Sequence, residues 1–580
     1  MAKLGIGRGN GWRFLRSGVL WILAASAVSG ACGSRAESPD LAQAALHERL
    51  TSGELPPYAR QDPEGRTLWT LTRQFYEGRA YAPAWLDGTA PRRELGHFIE
   101  ALGAAIDEGL DPELYNLGLL TERYERASKG WLTKAGFDPE EAGALETWVT
   151  YLYLKYASDL AQGLSDLARA DKDWHIKPQE FNPAAHLEHA LTEGNVKRSL
   201  LDLLPSTPHY HALRSALGEY RKQAQAGGWP AVPATAKLKP GQKSPHVAAL
   251  ARRLAASGEF QGTLPEGETS AYAADLQEAV KRFQRRHGLP DDGVVGPGTV
   301  AALNVPVEVR IRQIELNLER WRWLPRELGE RYILVNIPEY RLEVWEGERV
   351  ALAMRTVVGR QDTPTPIFNG EVSYIVFSPY WYVPPDIAAG ETLPAVMRDP
   401  GFLERNNMEV IDARGNPVDP STVDFSDPKQ YKFRQRPGAQ NSLGLVKFMF
   451  PNQHHVYLHD TPVDSLFARA ARSFSHGCVR LEEPRALAEY LLRDQPEWDA
   501  PAIEQAMHAG EERAVNLTAP VPIYLGYWTA RVSADGELQF RQDVYGTDRR
   551  QVKLLEDRLA RLRKAAGAAA AALPAPAAKP

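Results

Sequence analysis

Between residues 40 and 230, apolar side chains return at helical spacing, as in LSDLARADKDWHI and LEHALTEGNV, and Pro or Gly punctuates the segments. The pattern predicts a helical N-terminal domain. Within it, the aromatics of FYEGRAYAPAW (75–85) and AIDEGLDPELY (105–115) read as packing, because rings at helical spacing mostly face a core. The stretch AGGWPAVPATAKLKPGQ (226–242) is rich in Gly, Ala and Pro and reads as a linker. Two amphipathic helices follow, SPHVAALARRLAAS and YAADLQEAVKRFQRRHGL; in the second, Leu276, Val280 and Phe283 fall at i, i+4 and i+7 and share one face. With the short helix expected in PDDGVVGPGTVAALN, residues 237–305 predict a compact three-helix module.

The period then changes from 3.6 to 2. Ile333, Val335 and Ile337 alternate with other side chains, Glu346-Gly347-Glu348 marks a turn, and Val350, Leu352, Met354, Thr356 and Val358 alternate again. This is a hairpin signal, extended by EVSYIVFSPYWYVP (371–384) and KFMFPNQHHVYLHD (447–460). A sheet-built domain is expected over 329–500. Its interior stretch 385–446 is rich in Pro, Asp and Asn without periodicity, the mark of a disordered insert or a functional lid. Residues 515–547 read as a C-terminal strand region around APVPIYLGYWTARV, and 548–580 as an exposed amphipathic helix followed by the low-complexity, unfolded tail AAGAAAAALPAPAAKP.

Composition adds to this picture. A chain of 580 residues is too long for one core, and 43 % hydrophobic with 24 % charged residues is a globular balance. At the N-terminus, Lys3, Arg8, Arg13 and Arg16 precede the apolar run VLWILAASAV, and SGAC follows, so residues 1–31 have the layout of a secretory signal. The run is about ten residues, short of the roughly 20 a spanning helix needs. Export is the expectation. Cys32 follows Val28-Ser29-Gly30-Ala31, which resembles a lipoprotein processing box with Ser29 where a larger aliphatic residue is usual. Cys32 is thus a candidate lipidation site and membrane anchor, with ordinary cleavage nearby or an uncleaved anchor as the alternatives. Removing the leader takes away four basic and no acidic residues and moves the formal charge from −5 to −9, which disfavours nucleic acid as a partner.

That leaves Cys478, the other of two cysteines, in SFSHGCVRLEEP. An unpaired thiol in an oxidising compartment is a liability, so its presence points to use. A nearby histidine is the common way to activate such a thiol. His459, at the end of the strand-like HVYLHD, is the better base by geometry, while His476 is constrained by Gly477 and is expected to orient or contact substrate. Gly477 lets substrate approach closely, and the amides of Gly477 and Cys478 are candidate oxyanion donors. Arg480 would share the thiol's face in an extended segment and suit a substrate carboxylate. Against this stand a small buried cysteine with no chemistry, and a metal site drawing on His454, His455, His459 and His476, which lacks the tight ligand spacing of structural zinc. On spacing alone these alternatives stay open.

YLHDTP followed by SFSHGCVRL closely resembles the signature of the L,D-transpeptidase (YkuD-like) catalytic domain, a cysteine enzyme family of the bacterial cell wall. The helical module is similar to a peptidoglycan-binding domain, and FYEGRAYAPAW and EGLDPELY resemble the scaffold of the family's large periplasmic branch. The implied fold is multidomain α+β: an α-helical scaffold, a three-helix peptidoglycan-binding domain, and a mainly-β catalytic domain with 385–446 as capping insert. The resemblance implies Cys478 as nucleophile, His459 as general base, and Ser475, His476, Gly477 and Arg480 in the substrate and oxyanion region, with Tyr380 and Trp381 at the cap. His-Asp-Thr replaces the family's more usual His-Gly-Thr, so either Asp460 or a backbone carbonyl orients His459. No metal or cofactor is implied. The implied activity is 3→3 cross-linking of peptidoglycan stems through a thioester, with acylation by carbapenems. A carboxypeptidase using the same residues and a non-catalytic wall-binding scaffold are the alternatives.

Overall fold

The computed structural model describes residues 41–572 apart from 89, 134–138, 165–170, 400 and 428–429. The expected signal and Cys32 lie outside the described residues, as do the last eight.

The N-terminal domain is helical, built around Pro139–Gln162, whose residues from Ala142 to Ala157 are all buried. A helix buried on every side must satisfy its own polar groups. Glu146 does so by accepting the backbone N–H groups of Ala84, Trp85 and Leu86 and the Tyr76 hydroxyl. The aromatics Phe75, Tyr76 and Trp85 are core, as their spacing predicts. One expected helical stretch is not helical in its described part. Residues 171–176 open with a turn, closed by the Trp174 N–H on the Asp171 carbonyl at 3.1 Å, and Trp174 bridges Ile367 of the sheet domain.

The expected linker is folded in its second half. Val232, Ala236 and Leu238 are each about 1 % exposed and join Val247, Leu250, Leu276, Val280 and Phe283 in the core of the helical module. Leu238 exchanges backbone hydrogen bonds with Val295 at 3.1 and 2.9 Å, pairing that a Pro- and Ala-rich composition does not signal. Helix Val307–Arg322 then leads into the sheet domain, carrying the fully buried Arg320 and Arg322. Burial of these guanidiniums is met by partners: Arg320 by Asp548, Gln551 and the Tyr527 carbonyl, Arg322 by Glu319, Tyr210 and the Glu108 carbonyl.

The sheet domain contains strands β1 (Arg331–Asn336), β2 (Arg341–Glu346), β3 (Arg349–Gly359), β4 (Phe368–Phe377), β5 (Val446–Met449), β6 (Leu458–His459), β7 (Ser473–Ser475), β8 (Val479–Leu481) and β9 (Arg513–Gly526). Their order is β7-β3-β8-β6-β5-β4-β9-β1-β2, and a β2–β3 pairing closes the sheet on itself, with β7 attached outside the ring. Closure removes the ring's free edges. One face packs Ile333, Val335, Leu342, Val344 and Ile375 into the domain's own core, together with Leu487 of the helix Pro484–Leu492. The other presents Tyr332, Leu334, Trp345, Val358 and Tyr524 to the core of the helical domain. The segment expected to form a separate C-terminal strand region begins with β9, which pairs with both β4 and β1 and lies in the middle of the sheet.

The insert is ordered around its own core of Val383, Val396, Leu403, Met408, Val410, Tyr431 and Phe433, under a four-stranded sheet of two- to four-residue strands. Strands so short leave no alternation to read. The expected exposed C-terminal helix runs from Thr547 to Ala572, further into the expected unfolded tail, and it is not exposed on all sides. Leu555, Leu559 and Leu562 are buried in the scaffold core, and Arg558 pairs with Glu64.

Candidate active site

Parallel pairing of β6 with β8 sets Leu458 opposite Val479 and His459 opposite Arg480, and the Val479 N–H donates to the Tyr457 carbonyl at 3.2 Å. Side chains alternate along a strand and paired residues share a face. Leu458, Val479 and Leu481 therefore enter the core, while Tyr457, His459, Cys478 and Arg480 gather on the opposite face. The Tyr457 and His459 rings stand edge to face, 5.8 Å apart.

The Cys478 thiol donates to the His455 carbonyl at 3.8 Å and is hydrogen-bonded by the Tyr457 side chain. Part of the residue reaches solvent, yet protein atoms crowd the sulfur. Desolvation pushes the thiol up to about 11, opposed by the Tyr457 hydrogen bonds and by the Arg480 charge. His459 is buried and pushed down to about 3, by desolvation first and then by Arg480. Thiol and imidazole are both neutral at neutral pH in this state. Among the described residues no hydrogen bond joins them directly; the imidazole Nδ1 faces the Asp460 carbonyl at 2.5 Å. A carbonyl only accepts, so Nδ1 carries the proton and Nε2 is left as the basic nitrogen.

This resolves the question raised by the His-Asp-Thr sequence. The Asp460 backbone orients the imidazole, and its carboxylate is turned away, accepting the amides of Leu445 and Thr461 at 2.8 and 2.7 Å. Gly444, at φ +62°, lies against that carboxylate so closely that a Cβ would overlap it.

The turn holding the thiol is clamped from within. Ser475 Oγ donates to the Cys478 carbonyl at 2.5 Å and accepts the Gly477 N–H at 3.1 Å. Gly477 sits at φ +116°, where a side chain would be strained, and its carbonyl accepts Thr365 Oγ1 at 2.8 Å. The Gly477 amide thus points inward to Ser475 and not toward a substrate oxygen, leaving the Cys478 amide as the backbone donor beside the sulfur. His476 turns to the cap, with Nε2 2.7 Å from Glu391 in a π-helical turn. Arg480 Nε is buried without a hydrogen-bond partner among the described residues, a cationic group with capacity to spare next to the thiol. Tyr380 is anchored through its N–H to Glu512 and lies 4.2 Å under Arg434, and Trp381 pairs with Gln435 inside the cap sheet.

The histidines weighed as metal ligands face different partners: His454 packs against the His175 ring, His459 meets Asp460, His476 meets Glu391. Among the described residues no group of three or more His, Cys, Asp or Glu is placed to hold a metal ion.

Three family models match the chain: an L,D-transpeptidase catalytic domain over residues 330–517, a scaffold domain over 70–217, and a "Putative peptidoglycan binding domain" over 243–303. The sheet domain is an L,D-transpeptidase catalytic domain. A "Putative L,D-transpeptidase" of Haemophilus influenzae is 32 % identical over 247 residues, 42 % of this chain. The match spans 50 % of that relative's length. Two solved structures are similar at 17 % identity and a TM-score of 0.17, an L,D-transpeptidase from Mycobacterium smegmatis (34 % of this chain, 58 % of that one) and one from Xylanimonas cellulosilytica (50 % and 98 %). Superposition that weak adds nothing to the assignment. In the L,D-transpeptidase domain, Tyr457 is the functional candidate that sequence reasoning did not single out. It stands two residues before His459 in YLHD, a strand period that puts it on the same face.

Proposed function

We propose that this chain cross-links peptidoglycan stems by acyl transfer through Cys478. The observation that supports this most strongly is the gathering of Tyr457, His459, Cys478 and Arg480 on one sheet face by the β6–β8 pairing. The Cys478 sulfur attacks the carbonyl of the third-position diaminopimelate of a donor tetrapeptide, His459 Nε2 takes the thiol proton, and the C–N bond to the terminal D-Ala breaks as that proton passes to the departing amine. A thioester remains. The side-chain amine of a second stem attacks it, the thiolate leaves and is reprotonated, and a 3→3 bond results.

Because the resting thiol is neutral and, among the described residues, no hydrogen bond joins it to the imidazole, ionisation belongs to the complex: substrate closing over the site brings donor and base into line. Arg480 stabilises the thiolate and receives a stem carboxylate, and the Cys478 amide faces the developing oxyanion. The cap, fastened to His476 through Glu391, shields the thioester from water. The helical module over 243–303 keeps the enzyme at the wall and raises local stem concentration. Export by the leader and anchoring through Cys32 complete the reading; no described helix is long and apolar enough to cross a membrane.

Incubation with tetrapeptide stems, followed by muropeptide analysis, tests the activity. Cross-linked dimers support transfer, tripeptides without dimers reveal a carboxypeptidase, and unchanged stems refute both. Intact mass spectrometry with a carbapenem tests the nucleophile: one adduct mapping to Cys478 is expected, and an adduct surviving in Cys478→Ala refutes it.

A further inference from the structure

The non-helical segment 171–176 reaches from the scaffold to the rim of the active site. Arg550 and Gln551 of the C-terminal helix hold Asp173 and Asp171 at 2.8 and 2.5 Å. Ile367 donates to the Asp173 carbonyl at 3.2 Å and accepts the His175 N–H at 2.8 Å, so the segment is fastened along the start of β4. This places the His175 ring 4.4 Å from that of His454, whose ring also lies 4.8 Å from Phe368. His454 belongs to the loop between β5 and β6. Its next residue, His455, has the left-handed φ of +55° and supplies the carbonyl that receives the Cys478 thiol.

We propose that His175, contributed by the scaffold domain, is a positioning residue for Cys478: its tilted ring contact fixes His454, and through it the neighbouring His455 carbonyl that aims the sulfur. The inference rests on Cys478 being the nucleophile. Asn452 also holds this loop, accepting the His454 and Val456 amides at 2.9 and 3.2 Å, but it acts from inside the loop and does not set its position against the scaffold. His175 is itself exposed and contributes little buried surface, so its removal spares the fold. A carbonyl that accepts from the thiol favours the protonated form, so loosening it releases the thiolate while spoiling its aim.

The test uses the full chain with His175→Ala and His175→Phe, the latter keeping a ring against His454. Iodoacetamide alkylation of Cys478 is followed against pH by peptide mass spectrometry, alongside carbapenem acylation and thermal melting. For His175→Ala we expect the alkylation profile to move to lower pH, and saturating acylation to slow about tenfold with the half-saturating concentration changed less than about twofold. Melting should be unaltered and His175→Phe should behave as wild type. Alkylation and acylation both coinciding with wild type in His175→Ala would overturn the proposal, as would a slowing matched by loss of melting temperature or shared equally by His175→Phe. Wild type that is alkylated at Cys478 but never acylated would instead count against the proposed function, leaving the alkylation profile to decide the positioning role.

Discussion

Replacing Ser475 by Ala removes one oxygen that holds the Cys478 turn at two points. Ser475 is 2 % exposed, and its hydroxyl spans the Cys478 carbonyl at 2.5 Å and the Gly477 amide at 3.1 Å. Two net hydrogen bonds at about 1 kcal/mol each, together with a buried N–H left unpaired, put the local cost near 3 kcal/mol. Thr365 still holds the Gly477 carbonyl, so the turn survives but no longer fixes the sulfur. If that energy is expressed wholly in the transition state, acylation slows roughly 100-fold. The assay is stopped-flow carbapenem acylation under saturation, read against the half-saturating concentration, which should hold within about twofold because the hydroxyl faces the turn and not the ligand. Ser475→Thr should recover most of the rate. A Ser475→Ala rate within about threefold of wild type, or a loss confined to the half-saturating concentration, would refute the clamp and return Ser475 to a substrate contact.

Burial holds the folded His459 near 3, below the roughly 6.5 of an unfolded histidine, so the fold gains stability above pH 6.5 and loses it as pH falls toward 3. His459→Gln should flatten the melting temperature over that window by differential scanning fluorimetry, and an unchanged acid slope would contradict the buried neutral imidazole. The folded thiol, raised to about 11, should make wild-type alkylation climb about tenfold per unit from pH 7 toward 11; a plateau below pH 8 would show a thiolate already formed. Gly444→Ala introduces a Cβ into the Asp460 carboxylate at a positive φ and should cost about 2 kcal/mol or more in chemical denaturation, with a neutral result disproving the close approach. Truncation before Thr547 should lower the melting temperature of the scaffold as well as the catalytic domain; separate, unshifted scaffold melting would show the helix to be dispensable.

The proposed nucleophile and base, Cys478 and His459, stand out in the sequence because short-range spelling carries them: the SHGC run and a histidine at the end of a strand-like segment. Tyr457 was not, since a tyrosine in a strand is ordinary until parallel register sets it beside the thiol. The identity of the group orienting His459 was undecidable for a similar reason, as a side chain and a backbone carbonyl of one residue share one letter. β9 read as a strand, but its pairing with β1 spans nearly the whole domain and leaves no local trace. The spacing of Leu555, Leu559 and Leu562 revealed an apolar stripe without saying what it meets. Phobic periodicity reports that a face is buried, and never against which partner.

Glu64, Asp111 and the scaffold core near Leu110 and Leu114 meet Arg558, Arg563, Leu555 and Leu559. The helical N-terminal domain is therefore completed by a helix translated only after the catalytic domain. Until then an apolar seam stays open, and every prematurely terminated product carries it as a mark for chaperones and proteases.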